Sequence, residues 1–270
     1  MSSGKNRRRL GAAALAAALL LAGAARAAEP AAPRARFDTV VIDAGHGGDD
    51  VGARGAAGTE EKRLVLAVAQ ELAARLRAAG LEVVLTRKSD VFVPLEERTA
   101  RANDARGDLF LSIHANASED ASVSGTETYF LALDASDASA AQVASRENSA
   151  FGEAASGIAA IDDPFIALIG DLIATEHLKE SSELARIVQT ELGDTPLRSR
   201  GVKQALFVVL TGVQMPAALV EIGFVTSETD ANALAGGGRR EIVSALERAV
   251  LEFGRRYDAR RGAPAPANER

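Results

Sequence analysis

Apolar, β-rich runs alternate with helical patterns along most of this chain, and that alternation constrains the fold more than any other feature. The runs "DTVVIDA" (38–44), "LEVVLTR" (81–87) and "DLFLSIHAN" (108–116) are predicted strands, and an amphipathic helix is predicted between the first two. Strands joined through a helix lie parallel, because the crossover returns the chain to the same edge of the sheet. The sequence therefore predicts a single α/β domain, in which a mostly parallel twisted sheet is covered by helices on both faces.

Further elements complete this alternation. The predicted helix after the first strand begins at Thr59 as N-cap and ends at Gly80. Additional strands are predicted for "GTETYFLAL", "QALFVVL" and "AALVEIGF", and helices for "VPLEERTARANDAR" and "RREIVSALERAVLEFGRRY". The stretch from about 135 to 180 is longer than a crossover between neighbouring strands needs. Its alanine-rich composition predicts a helical insertion.

The N-terminal segment has the pattern of an export signal. A basic start precedes a 16-residue apolar run, and Ala25-Arg26-Ala27 matches a cleavage site. That run is shorter than the roughly 20 residues that span a bilayer, so no membrane span is expected after cleavage. We expect a signal peptide over 1–27, a linker over 28–37, the folded domain over 38–257 and a disordered tail over 258–270. The general secretory and twin-arginine routes both stay open.

Charge and cysteine content exclude several classes of function. Without its signal the chain carries 26 basic and 37 acidic residues, a formal charge of −11. Nucleic-acid binding requires a basic surface, so no nucleic-acid partner is expected. The chain has no cysteine, which excludes disulfides, thiolate metal sites and a cysteine nucleophile.

Three polar residues lie near the ends of predicted strands. His46 follows the first strand, and His114 and Glu221 lie near the ends of two later ones. Because the carboxyl ends of parallel strands share one edge, ligands collect there. The loop "GHGGDDVGARG" lacks the P-loop lysine, and Asp49 and Asp50 would repel phosphate. Neither G-x-S-x-G nor H-E-x-x-H occurs, so a serine hydrolase and a zincin are not indicated.

Two imidazoles and one carboxylate, with a fourth position open, form a catalytic zinc set. His46 and His114 are the candidate imidazoles, and the glycine-rich loop is expected to hold His46 out into the crevice. His177 lies in a polar helical stretch and is expected to be exposed. Glu60 and Glu61 are both candidates for the carboxylate, and their spacing alone does not separate them.

Glu221 stands in the apolar run "PAALVEIGF". A buried carboxylate is costly unless it is paired or metal-bound, so this residue is a candidate for function. Asp43 and Ser112 lie just upstream of the two candidate imidazoles. They are candidate partners for the imidazole N–H groups, and the alternative is that both face solvent as strand-end polar residues.

The sequence resembles the zinc-dependent N-acetylmuramoyl-L-alanine amidases of the cell-wall amidase type. The resemblance covers roughly 38–257. It rests on "VVIDAGHGGDDVGARG", the following "EEK", "LTRKSDVFVPLEERTARAN", "DLFLSIHANAS", "GTETYFL", "GVKQALFVVL" and "MPAALVEIGF". One departure is Asp50-Val51-Gly52, where the family usually has D-P-G.

This resemblance implies a function and a set of roles. It implies one Zn²⁺ held by His46, Glu61 and His114, with Glu61 preferred because the family's ligand precedes a lysine, here Lys62. It implies that Glu221 is the catalytic carboxylate. The implied substrate is the peptidoglycan amide between N-acetylmuramic acid and L-alanine, and the implied location is the periplasm. The alternatives are a zinc hydrolase acting on another wall amide and an inactive wall-binding module.

The resemblance also implies a mode of regulation. Division-associated members carry an insertion where residues 135–180 stand, and it covers the active site until a LytM-type activator displaces it. Glu147 and Glu153 are the candidates for a glutamate that fills the open position on zinc. The apolar second half of the insertion is then the expected docking surface for that partner.

Overall fold

A computed structural model describes residues 36–55, 58–149 and 176–262. Six strands in this part of the chain form one sheet. They are β1 (Thr39–Ala44), β2 (Glu82–Leu85), β3 (Leu109–Asn116), β4 (Thr126–Leu131), β5 (Ser199–Ala205) and β6 (Ala217–Phe224).

The strand order is β2-β1-β3-β6-β4-β5. β2, β1, β3 and β6 run parallel to one another, whereas β4 is antiparallel to β6 and parallel to β5. The predicted mostly parallel sheet is confirmed, and the last two strands at one edge run the opposite way. The carboxyl ends of β1, β3 and β6 therefore lie side by side at one edge.

Helices cover both faces of this sheet, as predicted. α1, α4 and α6 share the larger apolar core with one face, and α2 and α3 pack with the other. The helices of the described residues are α1 (Glu61–Ala78), α2 (Leu95–Asp104), α3 (Ala138–Asn148), α4 (Glu176–Leu192), α5 (Glu228–Ala235) and α6 (Gly238–Arg260). α3 and α4 belong to the crossover from β4 to β5. None of the described helices is both long enough and apolar enough to cross a membrane.

Two elements differ from the sequence prediction. The run "QALFVVL" is not a strand, because β5 already ends at Ala205 and Val208–Leu210 form a 3₁₀ turn. Val209 and Leu210 are buried, so the apolar character of the run reflects burial rather than strand structure. The short helix α5 was not predicted, and its N-cap side chain, Ser227, accepts from the backbone of Asp230.

The ends of two helices also differ. α1 begins at Glu61, and the predicted cap Thr59 is not its N-cap. Instead the first N–H groups of α1 bond to the glycine-rich loop, with the Glu61 amide donating to the Ala53 carbonyl over 2.9 Å. α6 continues to Arg260, so the tail predicted from 258 begins inside a helix. The predicted signal peptide and the apolar half of the insertion lie outside the described residues.

Candidate metal centre

Four buried side chains converge beyond the carboxyl ends of β1 and β3. They are His46, Glu61, His114 and Glu147, and one ligand atom from each lies within 4.8 Å of all the others. His46 follows β1, His114 belongs to β3, Glu61 opens α1 and Glu147 comes from the last turn of α3. The structure thus brings three predicted metal ligands together with one of the two candidate inhibitory glutamates.

The converging atoms lie close together, and His114 Nδ1 is within hydrogen-bond distance of Glu61 Oε1 at 3.1 Å. Nε2 of His46 lies 3.1 Å from Glu61 Oε1 and 3.1 Å from Glu147 Oε2. Both His46 Nε2 and Glu147 Oε2 are buried, and neither has a hydrogen-bond partner among the residues that the structure describes. Buried polar atoms without partners are costly, and a cation at the point of convergence would satisfy both. Imidazole and carboxylate are donors that suit Zn²⁺.

The charges of the cluster fit the same interpretation. Burial disfavours a charged imidazole, but the Glu147 and Glu61 carboxylates more than offset this and raise the pKa of His114 to about 10. Burial likewise disfavours the Glu61 anion, yet the charge of His46 holds the pKa of Glu61 down to about 2. Protonated imidazoles therefore balance the carboxylates. A divalent cation would replace those protons, because metal ligands bind in their deprotonated forms.

Asp50 is the residue that orients His46. Its Oδ2 lies 2.9 Å from His46 Nδ1, the ring nitrogen on the far side from the cluster. The prediction that Asp43 and Ser112 hold the imidazoles was wrong. These two are cross-strand partners that bond to each other, with the Ser112 hydroxyl donating to Asp43 Oδ2 over 2.8 Å. His46 has a left-handed backbone (φ 57°), and its ring nitrogen meets Asp50 instead.

Two buried arginines clamp the loop that carries His46. Arg98 donates to the backbone carbonyls of Ala44 and His46 over 2.7 and 2.8 Å. Arg87 donates to the carbonyls of Ala44 and Gly45 over 2.9 and 2.7 Å. Each guanidinium bridges several acceptors in fixed directions, which a lysine ammonium cannot do. Sequence reasoning missed both residues. Arg87 directly follows the buried residues Leu85 and Thr86, whereas Arg98 stands among exposed residues of α2 and carries no such signal.

Replacing Arg98 by lysine should therefore lower the free energy of unfolding by about 2–4 kcal/mol, because charge-assisted bonds to buried carbonyls are lost. Thermal and urea denaturation measure this effect. The control is Arg63→Lys, which alters a largely exposed arginine of α1. Equal stability of the two variants would show that the clamp does not hold the loop.

Glycines at two positions make room for the ligands themselves. A Cβ at Gly45 would lie 2.3 Å from the His114 ring, and one at Gly52 would lie 2.6 Å from Glu61 Oε2. His46 is itself only 9% exposed. The expectation that the loop leaves His46 unpacked was wrong, because the ring is buried among the other ligands.

Glu221 is fully buried directly beside this cluster. It pairs in register with His114 across β3 and β6. Neither of its carboxylate oxygens has a hydrogen-bond partner within the described ranges. Burial, followed by the charge of Glu147, raises its pKa well above the usual range, although His114 and Arg146 act in the opposite direction. Nη2 of Arg146 lies 3.9 Å from Glu221 Oε1. A buried carboxyl group with a raised pKa is suited to proton transfer.

A second buried carboxylate, Glu127, was not predicted from the sequence. It is the register partner of Glu221 across β4 and β6. Glu127 accepts from Tyr129 over 2.7 Å and pairs with Arg200 and Lys203 at 2.8 and 3.0 Å. Despite its burial, these bonds lower the pKa of Glu127. Two adjacent carboxylates thus have opposite environments, and only Glu221 is left available for proton transfer.

The other candidates lie outside the cluster or outside the described residues. Glu60 precedes α1 and forms an ion pair with Arg63 at 3.0 Å, so only its neighbour Glu61 faces the imidazoles. His177 lies on α4, where its ring is 3.7 Å from Glu180. Glu153 belongs to the part of the insertion that is not described.

Comparison with known proteins identifies the family. Residues 40–251 match the N-acetylmuramoyl-L-alanine amidase family. The chain belongs to this family. It is therefore an amidase, an enzyme that hydrolyses the amide between N-acetylmuramic acid and L-alanine in peptidoglycan.

Curated relatives and solved structures agree with this assignment. The amidase is 34% identical to N-acetylmuramoyl-L-alanine amidase AmiA of Escherichia coli K12, over 81% of this chain and 77% of AmiA. Its structure is similar to that of AmiC2 of Nostoc punctiforme, with a TM-score of 0.61, 28% identity and coverage of 80% and 97% of the two chains. An amidase from Clostridium difficile 630 also matches with a TM-score of 0.61, at 26% identity over 81% and 97%. These similarities support the amidase fold over nearly all of the described residues.

Proposed function

We propose that this amidase is a zinc enzyme in which His46, Glu61 and His114 hold one Zn²⁺ and Glu221 acts as the general base. The observation that carries the proposal is the convergence of four buried ligand atoms, two of which, His46 Nε2 and Glu147 Oε2, have no hydrogen-bond partner among the described residues. Two imidazoles and one carboxylate leave a fourth position for the reaction. Glu221 lies beside them and is itself unpartnered among the described residues.

The proposed chemistry is the hydrolysis of one amide. When bound, zinc supplies the Lewis acidity that polarises the scissile carbonyl and lowers the pKa of water. Glu221 accepts a proton from the attacking water and delivers it to the nitrogen of the departing L-alanine as the C–N bond breaks. The products are the lactyl carboxylate of N-acetylmuramic acid and the free amine of the stem peptide. The raised pKa of Glu221 suits a group that both accepts and returns a proton.

The alternatives can be tested on purified sacculi. An inactive wall-binding module would lack part of the ligand set, and this chain has all of it. A zinc hydrolase acting on a different wall amide would leave other chain ends. Digestion of sacculi should release peptides that begin with L-alanine and leave intact glycan strands. New ends of any other kind would contradict the assigned bond.

We further propose that α3 inhibits the enzyme by covering the site. Glu147 brings Oε2 to within 2.9 Å of His114 Nδ1, where it can occupy the open position on zinc. The neighbouring Arg146 anchors this segment by donating to the Ala117 carbonyl over 3.0 Å. A carboxylate at that position excludes the substrate carbonyl. Glu147 is therefore the inhibitory glutamate that we favour over Glu153.

Replacing Glu147 by alanine should raise basal turnover on sacculi by roughly 5- to 150-fold, which corresponds to a coupling of about 1–3 kcal/mol. The matched control is Gln142→Ala, which removes a side chain of similar size from the exposed face of the same helix. Turnover is measured at equal zinc content. A folded, zinc-loaded Glu147→Ala enzyme no faster than the control would contradict the inhibitory role of α3.

We also propose that residues 1–27 direct export to the periplasm, and that the enzyme acts in cell separation together with a LytM-type activator. The basic, apolar and A-x-A pattern supports the first part. The N-terminus of the protein isolated from periplasm should begin at Ala28. A purified activator should accelerate the unaltered enzyme and have little effect on Glu147→Ala. Equal acceleration of the unaltered and the Glu147→Ala enzymes would show that the activator does not act by displacing Glu147.

A further inference from the structure

Two oxygen atoms at the end of β3 form an acceptor pair, and Arg146 of α3 occupies it. Arg146 Nη2 donates to Asn116 Oδ1 over 2.8 Å, and Nη1 donates to the Ala117 carbonyl over 3.0 Å. The same guanidinium lies 3.9 Å from Glu221 Oε1. The acceptor pair is therefore beside the carboxylate that we propose as the general base, on the side where α3 covers the site.

The orientation of the Asn116 amide is set by the Glu127 carboxylate of β4, which does not belong to α3. Asn116 Nδ2 donates to Glu127 Oε2 over 3.2 Å. A flipped amide would place its oxygen against that carboxylate and its NH₂ against the guanidinium of Arg146, which is unfavourable on both sides. Glu127 is itself held by Tyr129 and Arg200. Asn116 thus presents an acceptor to the site whether or not α3 is docked.

We propose that Asn116 Oδ1 and the Ala117 carbonyl form a subsite for backbone N–H groups of the stem peptide next to the scissile amide, and that Arg146 fills this subsite while α3 is docked. The inference rests on the proposed inhibitory role of α3. Asn116 is only 1% exposed, and its oxygen accepts from the Ala117 backbone amide over 2.7 Å as well as from Arg146. When Arg146 leaves, that oxygen keeps the Ala117 donor and gains one free acceptor position. The stem peptide carries N–H donors within one or two residues of the scissile amide. Two neutral acceptors also disfavour the carboxylates of the same peptide.

Binding to an inactive, uncovered enzyme tests this subsite directly. The reference is the triple variant Arg146→Ala, Glu147→Ala, Glu221→Gln, which removes the side chain that fills the subsite. The probe is N-acetylmuramoyl-L-alanyl-D-isoglutamine, whose Kd is measured by calorimetry. Adding Asn116→Leu, which keeps the shape and removes the acceptor, should weaken binding roughly 5- to 150-fold. A second probe carries a methyl group on the nitrogen between the two amino acids. This probe should bind the reference enzyme weakly, and Asn116→Leu should reduce its affinity only slightly further.

The outcomes separate this inference from the proposed function. Equal affinity of the parent probe for the reference and for Asn116→Leu, at equal zinc content and melting temperature, would overturn the subsite. If Asn116→Leu does not fold, the methylated probe on the reference enzyme decides, and undiminished affinity overturns the subsite. Turnover of the single Glu147→Ala variant is measured in parallel. If Glu147→Ala does not raise turnover, the inhibitory role of α3 is contradicted. The probe affinities still test the role of Asn116 in that case.

Discussion

Glu221→Gln should retain one zinc ion per chain and lose turnover on peptidoglycan by roughly 10²- to 10⁴-fold, because the amide cannot accept the proton of the attacking water. Glutamine has the shape of glutamate, and no hydrogen bond of the described residues depends on the Glu221 carboxylate. The fold and the metal site should therefore be unchanged. Removing a buried, unpartnered carboxylate should leave the melting temperature equal or slightly higher.

The measurement is turnover on sacculi in both the unaltered and the Glu147→Ala enzymes, so that the effect is seen with and without the inhibitory contact. Glu82→Gln is the control, because it removes an exposed carboxylate from the edge strand β2. A Glu221→Gln enzyme that works within a few-fold of this control would show that another group activates the water.

Glu61→Gln should lose zinc and activity together, whereas Glu60→Gln should keep both. Glu61 Oε1 lies 3.1 Å from an imidazole nitrogen of each histidine, and the carboxylate also accepts from the backbone amides of Ala53 and Ala115 over 2.8 and 2.9 Å. A glutamine NH₂ would meet one of those N–H donors and would also carry no charge. We expect zinc affinity to fall by more than roughly 100-fold, which exceeds the usual effect of removing a residue that merely supports a ligand.

Zinc per chain is measured by elemental analysis after dialysis, with His114→Ala as a second ligand variant. Glu60 is the matched control, since it is adjacent in sequence and pairs with Arg63 and Arg54, two largely exposed arginines. Full zinc in Glu61→Gln together with loss of zinc in Glu60→Gln would show that Glu60, and not Glu61, is the ligand. Full zinc in both variants and in His114→Ala would show that the metal does not bind at this site.

Much of the fold follows from patterns that are local in sequence. Strand and helix periodicities extend over a few residues each, and their alternation specifies a mostly parallel sheet. The same topology explains why His46, His114 and Glu221 could be grouped from the sequence, since polar residues at the ends of neighbouring parallel strands share one edge. The structure places His114 and Glu221 directly opposite each other in register.

The remaining features depend on contacts that no local pattern encodes. Arg98 reaches the carbonyl of His46 across 52 residues of chain, and nothing near either residue indicates that bond. The reversed direction of β4 and β5 depends on how the chain passes beyond β3, which strand periodicity does not specify. Asp50 lies only four residues after His46, yet a carboxylate in a glycine-rich loop does not by itself indicate a partner for the imidazole.

The arginine clamp has a consequence for the order of events in making an active enzyme. Arg87 and Arg98 fix the backbone of the loop through protein groups alone, so the loop is anchored before an ion arrives. Small domains held together by structural zinc unfold when the metal is removed. We therefore expect folding and metal loading to be separate steps in this amidase. A chelator should strip the ion from an intact protein, and adding zinc back should restore activity without passage through the unfolded state.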